Sequence, residues 1–176
     1  MFVTHDQEEA LTMSDRIAVM ARGKVLQIDG SAQLYEHPNC REVADFIGNM
    51  NFIDGTVTGT EGANAVIDAG PLGKLRVPVG QIRVAKSGLV TLAIRPEKLR
   101  IDATRPNGNT NAIAGRLNAQ AYLGDRSHYY VEVPGLQRRL AVASQNVARN
   151  AEHGDGKARD VWVSWPVESG VLLPAD

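Results

Sequence analysis

Apolar and polar residues alternate along much of the chain after residue 50, and this period of two most constrains the fold. Three stretches show it, with Val90, Leu92 and Ile94, then Tyr129, Val131 and Val133, then Val161, Val163 and Trp165 at alternate positions. Because successive side chains of a strand point to opposite faces, each stretch predicts a half-buried strand. Glycines separate the stretches, and no long helical pattern intervenes. Residues 51–176 are therefore predicted to form a small β-barrel or sandwich.

Two of these stretches continue in a similar way. The runs VTLAIRPEKLRI (90–101) and VWVSWPVESGVLL (161–173) both read as a strand, a proline with a nearby glutamate, and a second strand. Two related segments that close a barrel would produce this pattern, although two copies are limited evidence for a repeat.

Residues 1–50 have a mixed pattern. The run DQEEALTMSD after His5 predicts a helix with carboxylates in its first turn, where they complement the helix dipole. The apolar runs at 16–20 and 25–28 flank a turn that contains Gly23, which predicts a hairpin.

Two short helices are predicted next. Ser31 is expected to cap the first, which Pro38 ends, and Asn39 with Glu42 forms a capping pair for the second. In the second helix, Val43, Phe46 and Ile47 are predicted to share an apolar face, and Gly48 is predicted to end the helix.

Composition excludes several classes of protein. There are 19 Lys and Arg against 20 Asp and Glu, and 5% of the residues are aromatic. This balance disfavours nucleic-acid binding, which requires a basic groove with stacking platforms. The single cysteine, Cys40, excludes an internal disulfide, and it lacks the partner residues of a catalytic nucleophile. No apolar run approaches the roughly 20 residues of a membrane span. We therefore expect a soluble, cytoplasmic protein.

The chain has no phosphate loop of the form GxxxxGK[ST]. The nearest run, Gly70-Pro71-Leu72-Gly73-Lys74-Leu75, is too short between its glycines and lacks the final hydroxyl. There is also no Gly-Gly pair. This chain alone is therefore expected not to hydrolyse ATP.

His5 is the candidate functional residue. It follows Phe2-Val3-Thr4, which reads as the end of a buried strand, and it precedes a helix N-terminus, where phosphates often bind. From its position alone, His5 would be expected to have no functional role, but the neighbouring residues favour one. The run FVTHDQEEALTMSDRIAVMARGKVLQID resembles the switch-histidine segment and following hairpin of ATP-binding-cassette importer ATPases.

The resemblance covers nearly the whole chain. QLYEHP (33–38) and VADFIG (43–48) resemble the exit from that ATPase domain, and IRPE (94–97) resembles the core of its accessory TOBE module. The implied fold is mainly β: a small OB-like barrel over residues 51–176, preceded by an α/β remnant of the ATPase domain over residues 1–50.

The resemblance implies that His5 is the switch histidine, which contacts the γ-phosphate of ATP and helps to position the attacking water. The metal-binding aspartate, the catalytic glutamate and the signature loop have no counterparts here. ATP and Mg are thus implied only for an intact protein, and no bound cofactor is expected for this chain. The resemblance also implies that the barrel is a dimerising or regulatory module. The implied partners are a second copy of the chain, as a homodimer, and permease subunits at the inner face of the membrane.

Two further segments resemble the polyamine (putrescine/spermidine) importers, namely 122–131 and 139–146. Importers of iron or sugar remain an alternative, because several subfamilies share such strands. A separate alternative is a free-standing barrel that binds a small ligand such as an oxyanion at a subunit junction. The charges available to it are Arg95, Arg126, Arg138 and Arg139. The remaining histidines, His37, His128 and His153, are not spaced as metal ligands and are expected to be structural or solvent-facing.

Overall fold

The computed structural model describes residues 1–79, 88–146 and 158–175. In these ranges it shows three short helices, one hairpin and two five-stranded sheets. His153 lies outside the described residues. We call residues 1–50 the N-terminal segment and residues 51–175 the β region.

Helix α1 (Gln7–Met13) lies where the sequence predicts a helix. Its N-cap is Asp6, whose carboxylate accepts hydrogen bonds from the backbone N–H groups of Glu8 and Glu9, at 2.8 and 3.2 Å. These bonds satisfy donors that have no partner within the helix, so Asp6 fixes where α1 begins.

The residues before α1 do not form the predicted strand. Phe2 and Val3 are 65% and 85% exposed and have no regular secondary structure. A strand needs a neighbour for its backbone N–H and C=O groups, and none of the strands in the described ranges pairs with these residues.

The predicted hairpin is confirmed. Strands β1 (Ile17–Ala21) and β2 (Lys24–Asp29) pair antiparallel. The turn residues Arg22 and Gly23 have φ values of 50° and 74°. Two positive φ angles are typical of a type I′ turn, whose twist matches that of the flanking strands.

Helix α2 (Ser31–Glu36) has Gly30 at its N-cap, so Ser31 is its first helical residue and the predicted Ser31 cap is wrong. Helix α3 (Arg41–Phe46) begins after Cys40, with no side-chain cap.

The predicted capping pair of α3 is also wrong. The Asn39 side chain donates to the carbonyl oxygen of Leu26 at 2.8 Å, and Glu42 forms an ion pair with Arg22 in the hairpin turn. Both side chains therefore attach α3 to the hairpin, which leaves neither free to cap the helix.

The end of α3 agrees with the sequence in one respect and differs in another. Gly48 follows the helix with a φ of 77°, so the predicted stop is confirmed. Val43 and Ile47 are buried, but Phe46 is 44% exposed. The buried stripe includes Ala44 instead, because α3 packs against the hairpin on one side and the β region on the other.

The β region consists of two five-stranded antiparallel sheets. The first has the order β12-β6-β3-β4-β5 and the second has the order β7-β11-β8-β9-β10. The strand bounds are β3 Asn51–Glu61, β4 Asn64–Asp68, β5 Lys74–Pro78, β6 Leu89–Ile94, β7 Arg100–Asp102, β8 Thr110–Tyr122, β9 Arg126–Glu132, β10 Leu140–Gln145, β11 Arg159–Pro166 and β12 Gly170–Pro174.

The two sheets share one hydrophobic core. The alternating residues that predicted strands contribute to it: Val90, Leu92, Ile94, Val131, Val133, Val161, Val163 and Trp165 are buried, and Tyr129 packs against them half-buried. The mainly β, OB-like fold predicted from the sequence is confirmed.

The β region is built from two equivalent halves. Strands β3 to β6 occupy the same places in the first sheet as β8 to β11 in the second. The first strand of each half carries a register shift at a matching position, Val57 to Gly59 in β3 and Leu117 to Ala119 in β8. The fold is therefore an internal repeat.

Each half exchanges its last strand with the other. Strand β6 passes through a 3-10 turn (Pro96–Lys98) into β7 in the opposite sheet, and β11 passes through a 3-10 turn (Val167–Ser169) into β12. Strand β12 then pairs with β6, and β7 pairs with β11. The two related segments predicted from the sequence are thus confirmed.

Candidate functional site

The N-terminal segment packs on the outer face of the first sheet. Ala44 of α3, Ala93 of β6 and Leu173 of β12 are fully buried in one cluster. Leu92 and Ile94 point the other way, into the shared core. Strand β6 is therefore buried on both faces and connects the two parts of the chain.

Arg95 follows β6 directly and extends into the N-terminal segment, where it is 3% exposed. Its Nη2 donates to the carbonyl oxygen of Tyr35 at 2.7 Å. Its Nη1 donates to the carbonyl oxygens of Ile47 and Asn49, the latter at 3.2 Å. These carbonyls lie at the C-terminal ends of α2 and α3, where they lack helical partners and carry partial negative charge. The Arg95 guanidinium thus donates hydrogen bonds to carbonyl groups at the ends of both α2 and α3.

The guanidinium also stacks on an aromatic ring. The Arg95 Cζ lies 3.9 Å from the centre of the Tyr35 ring. Burial lowers the pKa of Arg95 from its ordinary value, while Tyr35 and Glu97 act in the opposite direction. We call Tyr35, Arg95, Glu97 and the backbone of 47–49 the Arg95 joint.

Tyr35 completes this joint. Its hydroxyl donates to Glu97 Oε1 at 2.5 Å. Burial and the neighbouring Glu97 raise the pKa of Tyr35 to about 12. Nearby, Lys98 Nζ lies 3.5 Å from Glu36 Oε1, in an exposed pair that adds little stability. The hydrogen bonds of the joint connect the N-terminal segment to the residues that follow β6, so the joint attaches the two parts of the chain to each other.

His5 lies in a bend just before α1 and is exposed. Its neighbours are held to the helix: Thr4 Oγ1 donates to Glu9 Oε2 at 2.8 Å and accepts from the Asp6 N–H at 3.0 Å. The backbone around His5 therefore follows the first turn of α1.

The other predicted residues are dispersed. His37 is exposed at the C-cap of α2, and Cys40 is half-buried at the N-cap of α3. His128 is half-buried in β9, on the face opposite the core. In the part of the chain that the structure describes, no group of three or more His, Cys, Asp or Glu side chains is arranged to hold a metal ion.

The four arginines of the oxyanion alternative do not converge. Arg95 is buried in the joint, whereas Arg126 is exposed at one end of the β9–β10 pair beside Asp125. Arg138 and Arg139 precede β10 at the other end of that pair. The strand pair separates the two ends by roughly 17 Å. Within one copy of the chain, the four arginines therefore do not meet at one site.

Part of the β region matches a known domain family. Residues 92–173 match the TOBE domain family. The match begins inside β6 and includes Arg95 and Glu97, so the TOBE domain itself supplies the barrel side of the Arg95 joint.

The proteins that are similar to nearly the whole chain are named as ATP-binding proteins of polyamine transport. The spermidine/putrescine import ATP-binding protein PotA of Rubrobacter xylanophilus is 42% identical over 98% of this chain and 44% of its own length. The putrescine transport ATP-binding protein PotG of Escherichia coli is 36% identical over 98% of this chain and 46% of its own length. The chain thus spans less than half the length of these relatives. The resemblance to ATP-binding subunits of polyamine importers is confirmed.

A solved structure shares the fold. The cytoplasmic molybdate-binding protein ModG aligns with a TM-score of 0.61 over 71% of this chain and 96% of its own, at 16% identity. At this identity the likeness concerns the fold alone. None of the helices in the described ranges has the length and apolar character needed to span a bilayer.

Sequence reasoning missed the role of Arg95. IRPE was recognised as a family feature, but the arginine was assigned to a possible anion site. A signal was present, since five of the six residues of the strand Leu89–Ile94 are apolar, and an arginine that directly follows such a strand is expected to be buried and to need acceptors.

Proposed function

We propose that this chain is the C-terminal part of the ATP-binding subunit of an ATP-binding-cassette importer, and that the transported solutes are the polyamines putrescine and spermidine. The observation that carries the proposal is the similarity of 98% of the chain to import ATP-binding proteins with those names. In this proposal, residues 1–50 are a remnant of the ATPase domain and residues 51–176 are the accessory domain. Their separate hydrophobic clusters support the division.

His5 acts as the switch histidine in this proposal. It would contact the γ-phosphate of ATP and help to position the attacking water. Its exposure leaves the imidazole accessible to such a ligand. Asp6, Glu8 and Glu9 follow His5 in the cap and first turn of α1, and their negative charges disfavour a polyphosphate in the absence of further cationic groups. The groups that hold ATP and Mg belong to the remainder of an intact subunit.

A chimera tests this proposal. This chain would replace the matching portion of the Rubrobacter relative, and ATP hydrolysis and polyamine import would be measured in cells that lack their own polyamine importer. We expect both activities. His5→Ala should lower hydrolysis by about 10²-fold or more, as expected for a group that positions the reacting atoms, while the exposed control His37→Ala should leave it unchanged.

Three outcomes contradict parts of the proposal. Equal hydrolysis by the His5→Ala chimera excludes the switch role. Import of iron or sugar in place of polyamines excludes the solute. A folded chimera that neither hydrolyses ATP nor imports any of these solutes excludes the subunit assignment.

We also propose that the chain pairs with a second copy and with permease subunits at the cytoplasmic face of the membrane. The outer face of the hairpin supports association with a partner. Ala18 lies opposite Ile28 and Met20 lies opposite Val25, and all four are exposed. A hairpin that is apolar on both faces leaves surface that another polypeptide can cover.

Sedimentation velocity of the full chain tests the homodimer. We expect a dimer, and we expect Met20→Glu to weaken it if the hairpin lies at the interface. Lys24→Glu, at the exposed turn of the same hairpin, is the matched control. A strict monomer over the whole concentration range contradicts self-association.

A further inference from the structure

One peptide group connects the TOBE domain to the His5 segment. Arg95 donates to the carbonyl oxygen of Ile47. The N–H of Gly48, which belongs to the same peptide group, donates to Gln7 Oε1. Because the C=O and N–H of a trans peptide point in opposite directions, Arg95 and Gln7 hold this group from its two sides.

Gln7 is the first residue of α1 and lies two positions after His5. Helix α1 has no fully buried residue, and only Ala10 and Leu11 pack partly against the small N-terminal cluster. With so little apolar contact, the bond from Gly48 to Gln7 is a main determinant of where α1 lies relative to the end of α3. His5 then follows, because Thr4 and Asp6 bind the first turn.

The other end of this connection is rigid. Arg95 is almost fully buried, stacks on Tyr35 and is fixed to β6. Gly48 has a φ of 77°, and a Cβ there would lie 3.2 Å from Arg95 Nη1 and 3.4 Å from Tyr35 Cε2. The peptide therefore has little freedom to move independently of the guanidinium.

We propose that Gln7 and Arg95 are positioning residues for His5, and that the TOBE domain sets the orientation of His5 through the Ile47–Gly48 peptide. The functional meaning of this coupling rests on the proposed role of His5 as the switch histidine. A displacement of the TOBE domain relative to the N-terminal segment moves Arg95, then this peptide and Gln7, and finally His5. The accessory domain in this way regulates the geometry of the ATPase site.

The coupling is measurable in the full chain by nuclear magnetic resonance without nucleotide. Gln7→Leu removes the acceptor while keeping similar bulk, and Gln7→Glu retains an acceptor. We expect Gln7→Leu to shift the ring signals of His5 and to lower its backbone order parameter from about 0.85 towards 0.6. Gln7→Glu should restore both. Gln33→Leu, the same change at an exposed position of α2, and the signals of His128 serve as controls.

The decisive readout is at the far end. Coupling between two sites is reciprocal, so Gln7→Leu should also shift the Nε–H signal of Arg95. This nitrogen has no hydrogen-bond partner in the described part of the chain, so it reports on the position of the guanidinium. Because Gln7 lies on a peripheral helix, its substitution leaves the β region folded. An unchanged Arg95 signal overturns the proposal.

A double-mutant comparison of Gln7→Leu with Arg95→Met is a second test of the coupling. If both residues act through one peptide, the effect of Gln7→Leu with Arg95→Met on His5 should not exceed that of either change alone. Additive effects overturn the shared path. Arg95→Lys replaces Arg95→Met if the latter does not fold, and it should give an intermediate shift of His5. Failure here leaves the chimera result intact, because that experiment tests hydrolysis and import and not coupling.

Discussion

Asn51 and Asn111 occupy equivalent positions in the two halves of the β region, and each holds an edge strand of the opposite sheet. Asn51 donates to the carbonyl oxygen of Ala141 in β10 and accepts from its N–H, both at 2.8 Å. Asn111 accepts from the N–H of Arg76 in β5 at 2.8 Å and donates to its carbonyl oxygen at 2.7 Å. In each half, a buried Asn side chain thus makes the pair of hydrogen bonds by which one sheet is joined to an edge strand of the other.

Asn111→Ala should destabilise the chain by roughly 2–3 kcal/mol, because the N–H and C=O of Arg76 lose their partners in a nearly buried position. Urea unfolding followed by tryptophan fluorescence measures this. The exposed control Asn109→Ala should change the free energy of unfolding by less than about 0.5 kcal/mol. Equal unfolding midpoints for the two variants would contradict the role of Asn111.

Gly115→Ala should cost about 1–3 kcal/mol through overpacking. A Cβ at this position would lie 2.6 Å from Val131 Cγ1 and 2.9 Å from the carbonyl oxygen of Glu132. Gly59 in β3 has no atom within 4 Å of an added Cβ, so Gly59→Ala is the matched control. Thermal unfolding that lowers the midpoint of both variants equally would show that space is not the cause.

Gly23→Ala tests backbone conformation without packing. No atom lies within 4 Å of an added Cβ, but the φ of 74° disfavours any L side chain. We expect a loss of about 1 kcal/mol for Gly23→Ala and a smaller loss for Gly23→Asn, which tolerates this region better. Hydrogen exchange of the hairpin amides is the measurement, and equal protection in both variants is the outcome that refutes the explanation.

The Arg95 joint should weaken at alkaline pH. The pKa of Tyr35 is raised from 10.0 to about 12, so the folded state retains the proton that the unfolded state loses in this interval. Stability from Tyr35 is fully present below pH 10 and is lost as the pH rises towards 12. Hydrogen exchange of the α2 amides across this range measures the loss, and Tyr35→Phe should reduce its slope. An identical slope in both proteins would remove Tyr35 as the cause.

Much of the fold could be predicted because apolar alternation reports directly on which side of a strand is buried. The hairpin and the two related segments followed from such local patterns. The helix caps could not, because Asn39 and Glu42 are recruited by the hairpin, and local sequence does not show such a tertiary competitor. Phe2 and Val3 read as a buried strand, but a strand pattern does not contain its pairing partner.

The sequence also contains a short repeated motif that indicates the internal repeat, and the alternation of apolar residues does not reveal it. NFIDG (51–55) and NAIAG (111–115) share an Asn, an Ile and a Gly at the same spacing. In the structure the Asn joins the sheets, the Ile enters the core and the Gly permits a close approach of the next strand. The apolar strand before Arg95 indicates that the arginine is buried, but local patterns do not identify its acceptors, because these are backbone atoms of another segment.

The strand exchange has a consequence for synthesis of the protein. Strand β6 obtains its outer neighbour, β12, only after residues 170–174 have been made. At about 5–20 residues per second, ribosomal synthesis from Ile94 to Gly170 takes roughly 4–15 s. During this interval the edge of an apolar strand remains open to pairing with other nascent chains. Completion of β12, and not earlier folding of the first half of the β region, is therefore the step at which aggregation competes with folding.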